Sequence, residues 1–225
     1  MRNTLARGYG VVIVALALAA VFPTPARSRV QLGFELGANV STLRYEHLAP
    51  YPPTLYWDPG WRTSLTAGVS LELPLRRRVS VLTGLRYVQM GNRVQVRDPM
   101  PPPLTAEFRI AQHYLAVPVL LAARPFPSQR IFLAGGPEGA LLISGRSFVD
   151  YTSPALGSTS SSITQDLRRT NLSLNAQAGV EFPAGKHLGM ATLRQSYGLV
   201  EVQKKDHWGV AWRTRGVEGL VGIRW

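Results

Sequence analysis

Five glutamates and three arginines carry the chemistry this sequence offers first: Glu35, Glu72, Glu138, Glu181 and Glu218, with Arg86, Arg194 and Arg224. All eight fall on one side of alternating segments, so they share an interior. Carboxylates and guanidiniums in a common interior can pass ions or protons, or hold two carboxylates as a pair. They can also form ion pairs and hydrogen bonds that simply fill the space. A buried charge that loses its partner costs on the order of 3–5 kcal/mol. The expectation is therefore a structural charge network. Glu107 and Arg109 stay unassigned, because both faces of the segment they lie in, around Leu115–Leu121, are apolar.

Other chemistry finds less support. His47, His113, His187 and His207 have neither His-x-His nor His-x-x-x-His spacing, so no metal site is expected. Asp206 and His207 share a long loop, and a second loop is rich in Ser. A nucleophile, a base and an orienting acid must converge in a set geometry, and composition alone does not provide that. The Gly-x-x-Gly of "GGPEGA" is not followed by a helix and contains Pro137, so a phosphate loop is not expected. No catalytic residue, metal or cofactor is expected, and the chain reads as a non-enzyme.

The elements that position these residues alternate with period two. In Gln31–Thr42, Leu32, Phe34, Leu36, Ala38 and Val40 share one face, and Gly33, Glu35, Gly37 and Asn39 the other. Around Ser64–Leu73, Leu65, Ala67, Val69, Leu71 and Leu73 oppose Thr66, Gly68, Ser70 and Glu72. Further strands are read at Val79–Val96, Ala106–Ala123, Arg130–Ser144, Asn171–Phe182, Leu188–Leu199 and Thr214–Trp225. Short connections beginning with Pro, at Pro74–Arg78, Pro125–Gln129 and Pro183–His187, alternate with long ones at Leu43–Gly60, Arg97–Thr105, Gly145–Thr170 and Val200–Arg213.

Residues 1–28 read as a cleaved signal peptide. Arg2 and Arg7 make a basic start, Val11–Phe22 is an apolar run too short to span a bilayer with ease, and small residues follow Pro23 and Pro25. Cleavage is expected between about Ala26 and Arg29. No later apolar run has the length of a membrane helix. The absence of cysteine removes disulfides and thiolate metal sites. The formal net charge of +12 comes without any run of five basic residues, so contact with anionic lipid headgroups suits it better than nucleic acid.

Signal, strand number and loop asymmetry converge on residues 29–225 as one domain. It is all-β, an eight-stranded antiparallel up-and-down transmembrane β-barrel with short periplasmic turns and long extracellular loops. A soluble lipocalin-like barrel has a similar alternation with the faces exchanged. Trp225 on the last strand is expected to face lipid and to act as the C-terminal signal for the barrel-assembly machinery, where Phe is the commoner residue.

Four stretches resemble the PorT-type outer-membrane β-barrel family, the small porin-like barrels of Bacteroidetes and relatives. "FELGANVSTL" at Phe34–Leu43 is similar to its opening strand, and "YLAVPVLLAARPF" at Tyr114–Phe126 to its central Tyr-Leu and Pro run. "FLAGGPEGALLIS" at Phe132–Ser144 and "LRQSYGLVEV" at Leu193–Val202 follow in the family's order. The resemblance covers nearly all of Gln31–Trp225. It implies a barrel in the outer membrane of a Gram-negative-type bacterium and no single activity; some members are tied to protein secretion and gliding.

The function expected is a structural, adhesive, assembly or surface-interaction role without catalysis. The alternatives are a narrow channel for small solutes, a lipid-modifying barrel enzyme and a soluble lipocalin-like carrier. Tyr45, Tyr51, Tyr56, Trp57 and Trp61 crowd the first long loop as candidate interaction aromatics. Expected partners are outer-membrane lipids, the assembly machinery and an extracellular or envelope protein met by the long loops, with no nucleic acid.

Overall fold

Alternation becomes extended backbone throughout. The computed structural model describes residues 29–46, 56–98, 104–125, 130–151, 157–203 and 211–225. The segment read as a signal peptide lies outside the described residues, as do His47, Tyr51, Asp206 and His207. In chain order the strands are β1 (Gln31–Glu46), β2 (Tyr56–Gly60), β3 (Arg62–Arg76), β4 (Val79–Asp98), β5 (Leu104–Ala123), β6 (Ile131–Tyr151), β7 (Ser158–Ser162), β8 (Thr170–Ala184), β9 (His187–Gly198) and β10 (Ala211–Arg224). Among the described residues no helix is long and apolar enough to cross a membrane.

Eight of these strands close into a ring, each antiparallel to the next: β1, β3, β4, β5, β6, β8, β9, β10 and back to β1. The seam runs from Gly33 opposite Arg224 to Glu46 opposite Ala211. At the short-turn end, Leu32 and Trp225 exchange backbone hydrogen bonds of 3.3 and 3.0 Å. Closure pairs every strand of the wall on both sides, which a sheet facing hydrocarbon requires. The outside is apolar: Leu65, Leu121, Leu193 and Val221 are each more than half exposed, and Gly33, Asn39, Ser70, Asn175 and Glu218 point inward on the alternate positions. That is the reverse of a soluble barrel. Exposed aromatics border the apolar band, with Phe34, Phe182 and Trp225 toward the short turns and Trp61 and Tyr87 toward the long loops.

The structure departs from the sequence reading in three places. Pro74 and Pro183 do not open turns; they pair within strands, opposite Ser80 and Leu188. The turns proper are Arg77-Arg78 and Gly185-Lys186, and Gly185 takes a positive φ of 65° that a side chain resists. The long connections also hold strand. β4, β5 and β6 reach 20, 20 and 21 residues against 12 to 16 for the other wall strands, and so stand above the wall. Two short strands flank this tall part. β2 runs beside the outer half of β4, and β7, inside the Ser-rich loop, beside the outer half of β6.

The mouth beneath the tall part is filled. Leu43, Val88, Met90, Tyr114 and Leu142 point in from the wall and pack with Leu167 and Val202 from the loops, both 1% exposed. Backbone bonds pin these loops: Leu142 N to Arg169 O at 2.7 Å, Arg168 N to Val202 O at 2.7 Å and Val202 N to Trp212 O at 2.9 Å. Burying each of the two loop side chains contributes about 1.5–3 kcal/mol.

Candidate functional site

The interior below this apolar plug is charged, and strand parity explains where each group sits. Inward positions are odd on β1 and even on β3, β4, β5, β6 and β10, so a polar residue there must find its partner across the barrel. Glu35, Arg86, Glu138, Arg194 and Glu218 form a central layer drawn from five strands. Arg86 Nη1 lies 2.7 Å from Glu138 Oε2, and Arg86 Nη2 pairs with Glu218. Arg194 Nε donates to Gln177 Oε1 at 2.8 Å, with Glu35 Oε2 at 3.5 Å from Nη2 and Glu218 Oε2 at 3.9 Å from Nη1. These charged side chains are all nine-tenths buried or more.

Glu72, Glu181 and Arg224 form a second layer near the short turns. Arg224 pairs with Glu72 and lies 3.3 Å from Glu181 Oε1. A ninth charge joins them: Arg124, one residue beyond β5, reaches Glu72 Oε1 at 2.8 Å and Glu181 Oε1 at 2.7 Å. It was missing from the sequence reading because β5 is apolar on both faces and conceals its parity. The signal was present in Gln112, which is buried on the same even positions. Between the layers lie Leu82, Leu120, Phe132 and Ala134, with Arg224 over the Phe132 ring at 5.7 Å.

The eight predicted charges therefore fall into two groups. The second is balanced by Arg124, and the first holds three carboxylates against two guanidiniums. Glu138 and Glu218 each keep one oxygen without a hydrogen-bond partner among the described residues. Chemically, these layers tie opposite walls together across the lumen. Glu107 and Arg109, left unassigned from sequence, point outward above the apolar band, where Arg93 Nη2 lies 2.5 Å from Glu107 Oε2 and Arg109 pairs with Asp150.

The aromatic candidates do not come together as one site. Trp61 is 56% exposed between β2 and β3. Tyr45 lies opposite Trp212, Tyr56 opposite Arg97 and Trp57 opposite Val96, and Tyr51 is outside the described residues. At the other end Trp225 meets His187 edge-on, ring centres 6.5 Å apart. Among the described residues no group of three His, Cys, Asp or Glu side chains is placed to hold a metal.

A closed antiparallel wall, apolar outside and charged within, defines a membrane β-barrel. The chain belongs to the outer membrane protein beta-barrel domain family, whose model matches residues 22–203, and its place is the outer membrane of a Gram-negative-type bacterium. In outer-membrane barrels the short turns face the periplasm and the long connections the exterior. None of the curated proteins compared matches it. Among solved structures it is similar to Ail, the attachment invasion locus protein of Yersinia pestis, solved with the heparin analogue sucrose octasulfate: 14% identity, 88% of this chain and 100% of that one, TM-score 0.39. It is also similar to Neisserial surface protein A (14%, 85% and 95%, 0.38) and to OprG from Pseudomonas aeruginosa (11%, 87% and 95%, 0.38).

Proposed function

We propose that this barrel works through its outer surface, as a non-catalytic interaction protein, and not by passing solutes. The observation that carries the reading is the tall sheet. Above the wall, β2, β4, β5, β6 and β7 run side by side, and all five residues of β7 are exposed. An extended sheet held outside on a rigid wall suits recognition of an extracellular or envelope protein. The lumen supports the same reading, because an apolar plug and two ion-pair layers bridge it. The PorT-type assignment within the family is part of this proposal; it rests on the order of the four motif stretches. Contact with the barrel-assembly machinery during insertion, through Trp225, belongs to it as well.

The channel alternative is separated by planar-bilayer recording of the purified, refolded chain from residue 29 onward. The expected outcome is a quiet membrane. Reproducible unitary steps that scale with protein insertion would favour the solute channel instead.

A further inference from the structure

On the outer faces of β4 and β5 the apolar band ends at Tyr87 and Leu115. The outward positions beyond them carry Gln89 and His113, then Gly91 and Ala111, then Arg93 and Arg109. Arg93 and Arg109 stand directly opposite each other in the register. Like charges so placed are destabilising. Glu107 lies 2.5 Å from Arg93 and 3.6 Å from Arg109, and Asp150 pairs with Arg109. These two carboxylates match these two guanidiniums, but two more converge on the same ground.

The first is Arg62, brought there by an irregularity in the wall. β3 pairs with β4 as far as Thr66 opposite Val88, and β2 resumes at Gly60 opposite Arg93. In the gap, side chains from inside replace the missing strand partner: Asn39 Nδ2 donates to Gln89 O at 2.8 Å, and Ser41 Oγ bonds both Gly91 O and Gly91 N, at 3.1 and 3.0 Å. A Cβ at Gly91 would stand 1.9 Å from Ile110 O and 3.2 Å from Arg62 Nη1, so glycine lets this carbonyl and the guanidinium come together there. That guanidinium donates to Ile110 O at 2.9 Å. The second is Arg146, exposed on β6 opposite Ala111, beyond the bulge at Ile143 that exchanges the two faces of that strand. Ala111 stands in turn opposite Gly91, so Arg146 flanks the same outward pair that Arg62 reaches. Arg146 is exposed and Arg62 half-buried, so the excess positive charge is open to the membrane boundary.

We propose that this outward rim on β3 to β6 is a binding site for the phosphorylated headgroup of an outer-leaflet lipid. Guanidiniums bind phosphate oxygens in paired hydrogen bonds, and the apolar wall directly below receives the acyl chains. The site rests on the outer-membrane placement of the chain and is independent of what the tall sheet recognises.

The test mixes the refolded chain, in detergent micelles, with bis-phosphorylated lipid A or with the same lipid stripped of its phosphates, and counts bound lipid by native mass spectrometry. Wild type is expected to retain the phosphorylated form roughly ten-fold better, a difference of about 1.4 kcal/mol. Arg62→Gln/Arg146→Gln should remove most of that preference, and Arg76→Gln/Arg77→Gln, at the opposite end, should keep it. A heat-dependent gel shift establishes that each variant has closed; if the rim variant does not close, the two lipids on wild type still decide. Equal retention of the two lipids by a closed wild-type barrel overturns the site. Loss in the turn variant but not the rim variant does so too, as does displacement of lipid A by inorganic phosphate at comparable concentration. Failure of the membrane-barrel placement itself would read differently, as a wild-type chain without a gel shift.

Discussion

Arg86 holds the central lumen layer together. Its two terminal nitrogens reach β6 through Glu138 and β10 through Glu218, and Nη2 also donates to Thr66 Oγ1 at 3.2 Å. Removing it leaves two carboxylates, each at most 1% exposed, with Arg194 as the remaining nearby cation. Arg86→Ala is expected to destabilise the barrel by roughly 3–5 kcal/mol, seen as a lower urea midpoint for unfolding from lipid vesicles. An unchanged midpoint would mean that the layer contributes nothing to holding the walls. Parity made the inward charges legible from sequence, because a strand with one apolar face declares the other. It failed for Arg124, whose strand is apolar on both faces: one faces lipid, and the other lines the two apolar interior clusters.

At the scale of elements, closure depends on the β1–β10 seam, and Gly37 is its tightest point. A Cβ on Gly37 would come within 2.0 Å of Gly219 O and 2.9 Å of Leu220 Cα. These are backbone atoms, so the strands themselves would have to move. Gly37→Ala is expected to lower the fraction of heat-shifting, closed barrel after refolding, whereas Gly139→Ala, where a Cβ meets nothing within 4 Å, should leave it intact. Equal yields from both would show the seam to be slack. The eight wall strands were readable because each buries one face and exposes the other to lipid. β2 and β7 were not. "YWDPG" carries Pro59 and "STSSS" has no apolar residue, so neither shows alternation, and only their neighbours β4 and β6 make them strands. Leu167 and Val202 were hidden for a related reason: one or a few apolar residues in a loop set no period, and their burial is decided by the mouth they cover.

For the whole molecule, three tall strands on one side turn a plain barrel into a barrel with a raised outer sheet, and the charged rim lies at the foot of that sheet. The interior is bridged at several levels, so the surfaces open to partners are the sheet above and the lipid boundary beside it. The chain contains no cysteine, which allows single thiols to report which side of the membrane each surface occupies. Ser160→Cys places a thiol on the exposed β7, and Lys186→Cys places one in the exposed turn between β8 and β9. Whole cells expressing either variant would be treated with a membrane-impermeant maleimide, before and after the outer membrane is opened. Labelling of Ser160→Cys on intact cells, with Lys186→Cys labelled only after opening, is the predicted result. The reverse pattern, or neither thiol reached from outside, would contradict an outward-standing sheet and with it the proposed role in surface interaction.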